Sequence, residues 1–195
     1  MTSISREVYR INPGSMKSLR ITKETLEEPG LGEVRVSVKA IGLNFADVFS
    51  VWKLYSAIPK GAFIPGLEYS GIVESVGTGT SQFKPGDRVM GICRFGAYSS
   101  HLNIDERYLV ALADTWTYSE GAAYLVQSLT AYYALLDLGG LKEGMNVLVH
   151  SAAGGVGTYA NRIAKKFGAH TIGTVGSESK VEYCKKEGYD QVIVR

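Results

Sequence analysis

The fold of this chain is decided by residues 146–157, which read NVLVHSAAGGVG. The first five residues form a short apolar run, which is typical of a strand buried on both faces of a sheet. A glycine cluster follows, and apolar residues then recur at helical spacing over 156–167, on a helix that Gly168 ends. The stretch therefore predicts a strand, a tight glycine turn and an amphipathic helix.

The glycines of this turn have the spacing of the dinucleotide-binding fingerprint Gly-x-Gly-x-x-Gly, with Ala152 in the first position. Gly154 lets the backbone approach a pyrophosphate, and Gly157 lets the helix pack closely on the strand. The helix N-terminus adds free N–H groups and the positive end of the helix dipole. We therefore predict a phosphate-binding loop that consists of Ala153, Gly154, Gly155, Val156 and Gly157. The alternative is a glycine-rich turn that binds no ligand.

Residues 170–175 and 191–194 read as two further strands, with a helix at 178–186 between them. The order β-α-β-α-β with short links predicts a parallel, right-handed α/β unit, the first half of a doubly wound Rossmann domain. With one half only, the strand at 146–150 would be an open sheet edge. We therefore expect the chain to be part of a longer enzyme and to be incomplete as a catalyst by itself.

The end of the second strand of this unit distinguishes NAD from NADP sites. An NAD site usually has an Asp or Glu there to bind the ribose 2′-hydroxyl, but residues 174–177 read TVGS. This small, uncharged end leaves room for a 2′-phosphate, and Lys180 on the next turn can pair with it. We predict NADP(H) as the cofactor, with Thr174, Ser177 and Lys180 at its site. The alternatives are a solvated Lys180, or a 2′-hydroxyl bound by Glu178.

The N-terminal part of the chain has a different pattern. All five prolines lie in the first 85 residues, and short alternating segments such as 33–39 are separated by Gly and Pro turns. Many short strands predict a small, barrel-like β domain, so the fold class is α/β plus β. Residues 119–138 read as one helix that Ser119 caps. We place the β domain at residues 1–118 and the α/β unit at residues 119–195.

Composition excludes several classes of protein. The chain has 195 residues, a formal net charge of +2 and 45% hydrophobic residues, unlike a disordered chain. It lacks a basic run of the kind that binds nucleic acid. It also lacks the roughly 18 apolar residues that suggest a membrane span and the apolar core of a signal peptide. Two cysteines are too few for a disulfide scaffold. We expect a cytoplasmic protein.

Several motifs of the chain resemble the medium-chain dehydrogenase/reductases, specifically their zinc-independent quinone oxidoreductase branch. The motifs are IGLNFAD at 41–47, PGLEYSG at 65–71, GDRV at 86–89, TAY at 130–132 and SAAGGVG at 151–157. The resemblance covers nearly the whole chain. It implies an N-terminal GroES-like β-barrel domain, a Rossmann domain, an active-site cleft between them and a homodimer for the full-length protein.

The resemblance also assigns the catalytic candidates. Asn44 and Asp47 match the family's pocket motif, in which the asparagine lies near the nicotinamide and its ribose. Tyr55 matches a tyrosine of the substrate pocket. The alternatives are that Asn44 holds a turn, that Asp47 caps the helix after it, and that Tyr55 is an ordinary surface tyrosine.

Further residues match the cofactor contacts of the family. Thr130 matches a residue beside the nicotinamide. Ser177, Lys180 and Arg195 resemble the adenosine 2′-phosphate site of the members that use NADPH.

Zinc ligands are missing from the positions at which the zinc-dependent relatives have them. Those relatives have Cys where this chain has Asn44, and His where it has Leu67. A catalytic zinc needs about three converging ligands, and His101, His150 and His170 have no ligand spacing. We predict no metal site.

The resemblance implies hydride transfer from C4 of NADPH to a quinone or an α,β-unsaturated carbonyl, so the expected partner is a small molecule and not a nucleic acid. One alternative is an enoyl thioester reductase of the same superfamily. Another is a cofactor-sensing or structural protein with little turnover on the same fold.

Overall fold

The computed structural model describes residues 3–56 and 58–195. The chain forms two compact units, which divide between Leu125 and Val126. The division expected from the sequence follows residue 118. Across the described residues, no helix has both the length and the apolar character needed to cross a membrane.

The first unit consists mainly of β-strands. Its strands are β1 (Ile4–Arg10), β2 (Arg20–Leu26), β3 (Glu33–Ile41), β4 (Glu68–Val76), β5 (Arg88–Ile92), β6 (His101–Asp105) and β7 (Leu109–Ala111). Its helices are α1 (Phe45–Val51) and α2 (Tyr118–Ala122), and short 3₁₀ turns cover Met16–Ser18 and Glu106–Tyr108.

Five of these strands form one antiparallel sheet in the order β6-β3-β4-β5-β7, and β1 and β2 form a separate antiparallel pair. Val34 and Val36 of β3 are fully buried and pack in one cluster with Tyr69 and Val89. The alternation of β3 therefore directs these valines inward, as expected of a half-buried strand. This cluster is part of the hydrophobic core of the first unit.

Arg35 departs from that alternation. The sequence places it on the polar face of β3, but only 3% of the residue is exposed. Its Nη2 donates to the carbonyl oxygen of Glu27 at 2.8 Å and lies 3.7 Å from the carboxylate of Glu28. A buried charge is tolerated when it is paired and hydrogen-bonded, which is why the side chain can fold inward here.

The predicted barrel is not closed by backbone pairing. Among the described strands, β6 and β7 each have a hydrogen-bonded neighbour on one side only. β1 contacts the segment before β6 through an isolated bridge between Val8 and Ser99. The described strands of this unit thus form an open five-stranded sheet and a separate two-stranded ribbon, because the bridge does not extend into a strand pair.

The second unit contains the predicted α/β half. Its elements are α3 (Leu125–Tyr132, beginning at the division), a π-helix (Tyr133–Leu138), β8 (Asn146–His150), α4 (Gly155–Lys166), β9 (His170–Val175), a 3₁₀ turn (Glu178–Lys180), α5 (Val181–Lys186) and β10 (Gln191–Val194). The three strands are parallel in the order β10-β9-β8. This is the strand order of the first half of a Rossmann sheet, so the fold prediction is confirmed.

The prediction that residues 146–150 are buried on both faces is wrong for this structure. β8 pairs with β9 alone and forms an edge of the sheet. Val147 and Val149 are half-buried, whereas 56% of Leu148 is exposed. Because successive side chains point to opposite faces, this alternation means that only one face of β8 is packed.

The single helix predicted over 119–138 is also wrong. α2 ends at Ala122, α3 begins at Leu125, and the last turns are a π-helix. The cap of α2 is Thr117, whose hydroxyl accepts from the N–H of Glu120, and not Ser119. At the other end, the N–H of Gly139 donates to the carbonyl of Ala134 at 3.0 Å, which gives the wider turn of a π-helix.

Candidate functional site

The glycine turn of the second unit connects β8 directly to α4. Ser151 has a left-handed backbone with φ 54°, and Gly154 is the extended N-cap residue of α4. The N–H of Gly154 donates to the carbonyl of Ser151 at 2.8 Å, which closes the turn. The N–H groups of the first helical turn have no acceptor within the helix, so they are free to bind an anion at this end.

The last glycine of the fingerprint stands where a side chain would collide with the backbone. A Cβ on Gly157 would lie 2.7 Å from the carbonyl oxygens of both Ser151 and Ala152. This glycine therefore lets α4 approach the backbone of the loop that follows β8. The first helical position of the loop is a glycine for a reason that lies outside the loop. A Cβ on Gly155 would lie 2.0 Å from Oε1 of Gln127, a neighbour on α3 that no local spacing reveals.

The remaining residues of the predicted loop differ in accessibility. A Cβ on Gly154 would meet only the carbonyl of Ser151, at 3.1 Å, so the side facing away from the turn is open. Val156 is 41% exposed at the start of α4, and Ala153 is half-buried against the core of this unit. The open backbone at Gly154 fits a phosphate group in close contact with the loop.

The predicted adenosine end lies around the carboxyl end of β9. The N–H of Arg195 donates to the carbonyl of Val175 at 3.1 Å, which places the backbone of Arg195 beside this strand end. Ser177 follows two residues later, with its hydroxyl 2.9 Å from that of Ser179. Lys180 is exposed in the 3₁₀ turn that comes next. The register thus places Ser177, Lys180 and Arg195 around one strand end.

Thr174 has a different environment from its predicted partners. Only 6% of the residue is exposed, and its Oγ1 lies 3.0 Å from Nδ1 of His150. Its backbone carbonyl accepts from the N–H of Ala152 at 3.0 Å. Thr174 therefore joins the ends of β8 and β9 beneath the loop.

Thr130 lies on the exposed part of α3. Its hydroxyl donates to the carbonyl of Val126, one turn earlier, at 2.6 Å. The oxygen of that hydroxyl keeps its capacity to accept a hydrogen bond. Its predicted contact with the nicotinamide is therefore limited to the role of acceptor while this bond lasts.

In the first unit, Asn44 is the half-buried N-cap residue of α1. Its backbone N–H donates to Oδ2 of Asp47 at 2.9 Å, and its side-chain Nδ2 donates to Oε1 of Glu68 at 2.9 Å. The main chain and the side chain of Asn44 are thus held by two different carboxylates.

Asp47 lies inside α1 and is 7% exposed. Burial raises the pKa of its carboxyl group, although hydrogen bonds from the N–H groups of Asn44 and Gly66 and from the Tyr98 hydroxyl oppose this effect. The Tyr98 hydroxyl donates to Oδ2 of Asp47 at 2.9 Å. Burial, together with the neighbouring Asp47 carboxylate, raises the pKa of Tyr98 in turn. The sequence reading did not identify Tyr98, which is 51 positions from Asp47 along the chain.

Tyr55 follows α1 and is 39% exposed. Three other aromatic side chains of this segment are also exposed: Phe45 at 80%, Phe49 at 42% and Trp52 at 51%. The rings of Phe45 and Phe49 are 6.3 Å apart between centroids. The segment from Phe45 to Tyr55 therefore exposes four aromatic side chains, a feature that the sequence analysis does not predict.

Metal-ligating side chains do not gather in the part of the chain that the structure describes: no three His, Cys, Asp or Glu residues are close enough to hold an ion. Cys93 near the first-unit site has a pKa raised to about 12, because burial disfavours its thiolate.

Comparison with known proteins agrees with this geometry. Residues 30–184 match the family described as the alcohol dehydrogenase GroES-like domain. The synaptic vesicle membrane protein VAT-1 homolog of Rattus norvegicus is 40% identical over 165 residues, which are 85% of this chain and 41% of that protein. The chain therefore spans less than half the length of this relative.

Solved structures extend the comparison to the whole fold. The quinone oxidoreductase of Escherichia coli, solved in complex with NADPH, is 36% identical with a TM-score of 0.87, over 97% of this chain and 58% of that one. The CurK enoyl reductase is 31% identical with a TM-score of 0.91, over 97% of this chain and 59% of that one. By its sequence match and its fold, the chain belongs to the alcohol dehydrogenase GroES-like family, within the medium-chain dehydrogenase/reductase superfamily of oxidoreductases.

Proposed function

We propose that the protein is an NADPH-dependent, zinc-independent oxidoreductase that reduces a quinone or an α,β-unsaturated carbonyl. The observation that carries the proposal is the glycine loop between β8 and α4, in which a Cβ on Gly154 would meet only the carbonyl of Ser151. The loop fits a pyrophosphate, since it combines open backbone at Gly154 with the N-terminus of a 12-residue helix. The NADPH complex of the E. coli relative supports the choice of cofactor.

The preference for NADPH over NADH rests on the carboxyl end of β9. The positive charges of Lys180 and Arg195 follow the ends of neighbouring strands, and Ser177 lies between the end of β9 and Lys180 in sequence. A 2′-phosphate would gain charge-assisted hydrogen bonds from these groups. Glu178, which would serve the 2′-hydroxyl of NADH, is the competing residue of the same turn.

The reaction requires a hydride and a proton for the substrate, and the bound nicotinamide would supply the hydride from C4. Asn44 is proposed to lie near the nicotinamide and its ribose. Thr130 is the further proposed residue beside the nicotinamide. Tyr55 is the proposed proton donor or substrate orienter, because its phenol is accessible among exposed aromatic side chains. Asp47 is buried and holds the backbone of Asn44, so its part is to maintain the site.

Titration with NADPH and with NADH tests the cofactor proposal, using the protein expressed from its complete reading frame. Lys180→Ala is expected to weaken NADPH binding about tenfold, as for loss of a hydrogen bond to a charged group, and to leave NADH binding unchanged. Lys186→Ala removes an exposed lysine of α5 and is the matched control. Equal binding of both cofactors by the wild type would contradict the NADPH preference, and binding of neither would contradict the proposed function.

An enoyl thioester reductase is the second candidate, favoured by the similarity to the CurK enoyl reductase. A panel of quinones, enones and enoyl thioesters separates the two, since each predicts turnover of its own class. NADPH binding without oxidation by any member of the panel would favour a cofactor-sensing or structural protein. For the full-length protein we propose a cytoplasmic homodimer, which fractionation and light scattering would test.

A further inference from the structure

Glu68 is a buried acid next to the candidate nicotinamide contact. It begins β4, is 0% exposed, and accepts a hydrogen bond from Nδ2 of Asn44 at 2.9 Å. A residue of this type is almost never fully buried without a specific partner. The hydrogen bond from Asn44 therefore identifies the Asn44 amide as a partner of the buried carboxylate.

The approach of Glu68 to Asn44 depends on Gly42. A Cβ on Gly42 would lie 2.4 Å from Cγ and 2.5 Å from Oε1 of Glu68, and 2.3 Å from the carbonyl oxygen of Ala122. The backbone N–H of Gly42 also donates to the carbonyl of Glu68 at 3.1 Å. The carboxylate thus lies against bare backbone, which leaves little room for it to move.

We propose that Glu68 is a positioning residue, which fixes the orientation of the Asn44 amide. Oε1 of Glu68 is the acceptor of this bond, so the NH₂ side of the amide faces Glu68 and the amide oxygen faces away from it. Oδ1 of Asn44 takes part in the capping box of α1, where it faces the backbone N–H of Asp47, and its second lone pair is left for a ligand. It therefore selects a donor such as a ribose hydroxyl or a carboxamide N–H. The inference rests on the proposed function for the contact between Asn44 and the cofactor.

The two carboxylates around Asn44 have separate tasks. Asp47 binds the backbone N–H of Asn44 and is itself held by the Tyr98 hydroxyl. That pair fixes the path of the chain at the start of α1. The bond from Asn44 to Glu68 involves the side chain of Asn44 and not its backbone. A change at Glu68 therefore alters which amide atom faces the ligand without removing the backbone bond.

An exchange of donor and acceptor tests the proposal. Glu68→Gln keeps the volume but can present either an oxygen or an NH₂ group to Asn44, so the amide loses its orientation. Asn44→Asp brings two carboxylates together. The double variant N44D/E68Q restores one hydrogen bond in the reverse direction, with the same total charge and with an acceptor oxygen still left at position 44. Ser50→Ala is the control, since it removes a bond from the Ser50 hydroxyl to the carbonyl of Ala46 within the same helix.

The measurements are the dissociation constant for NADPH, kcat and KM at pH 8, and the thermal midpoint of each variant. We expect Glu68→Gln to lower kcat/KM about tenfold, the size of a lost hydrogen bond to a charged group. Asn44→Asp should lose more, and the double variant should recover at least part of that loss. Ser50→Ala should lower the midpoint and leave kcat/KM unchanged.

Two results would overturn the positioning role while the proposed function stands: Glu68→Gln with the kinetics and NADPH affinity of the wild type, or a double variant no better than Asn44→Asp. A wild-type protein that binds no NADPH would overturn the proposed function, and the role of Glu68 with it. If the wild type binds NADPH without turnover, the dissociation constants of the four variants replace the kinetic constants. The positioning role is then overturned if Glu68→Gln binds NADPH as the wild type does, or if the double variant binds it no better than Asn44→Asp.

Discussion

Replacing Gly157 by alanine tests why the phosphate loop needs its last glycine. A Cβ there would lie 2.7 Å from the carbonyl oxygens of Ser151 and Ala152, and because both are backbone atoms α4 has to move away from the loop. Overpacking of this kind costs about 1–3 kcal/mol. Alanine also has a higher helix propensity than glycine, which stabilises α4 by about 1 kcal/mol. The expected net loss in the free energy of unfolding is about 1 kcal/mol, or about 3 °C in Tm for a chain of this size.

The same displacement moves the N-terminus of α4 and the N–H groups proposed to bind the pyrophosphate. The dissociation constant for NADPH should therefore rise about tenfold. Gly154→Ala is the matched comparison, because its Cβ would meet only the carbonyl of Ser151, at 3.1 Å, and its φ of −84° suits alanine. We expect a smaller change in stability than for Gly157→Ala, together with weaker NADPH binding, since the new methyl group lies where the phosphate approaches.

Thermal unfolding gives Tm and calorimetric titration gives the dissociation constant. Gly176→Ala, whose Cβ would meet nothing within 4 Å, is the control for stability. The close-packing argument is refuted if Gly157→Ala keeps the Tm of the wild type and its affinity for NADPH. Unchanged NADPH affinity in Gly154→Ala would instead show that a phosphate does not approach the loop there.

Three further predictions concern single side chains. Tyr98→Phe removes the hydroxyl that donates to buried Asp47 and should cost about 1–3 kcal/mol in urea unfolding; a midpoint equal to that of the wild type would contradict it. Asp190 has a pKa lowered to about 2 by the Lys165 ammonium and by a backbone N–H, so its folded pKa lies below the unfolded value of 3.8. The contribution of Asp190 to the free energy of unfolding is therefore present above pH 4 and lost as pH falls towards 2. Asp190→Asn should differ from the wild type in this free energy at pH 7 and converge with it at low pH. A difference that does not change with pH would refute this. Tyr55→Phe should lower kcat for the accepted quinone or enone with little effect on NADPH affinity, and unchanged turnover across the whole substrate panel would remove Tyr55 from the chemistry.

Local patterns predicted the parallel unit well and the N-terminal unit less completely. The glycine spacing, the amphipathic helix and the short links are properties of neighbouring residues, so α4 and the order β10-β9-β8 follow from them. Three features depend on the order in which strands pair: the failure of the predicted barrel to close, the burial of Arg35 and the exposure of Leu148. The break between α2 and α3 likewise depends on packing, because helix propensity alone favours a continuous helix over 119–138.

The sequence by itself determined the superfamily, the phosphate loop and the positions of the candidate residues, because each of these is expressed in residue type and spacing along the chain. The tertiary structure alone decided how those residues are held. Glu68 meets the side chain of Asn44 from 24 positions later in the chain, and Tyr98 and Gln127 come from distant elements. Such contacts depend on the close packing of strands and helices, which brings together atoms that no local pattern links.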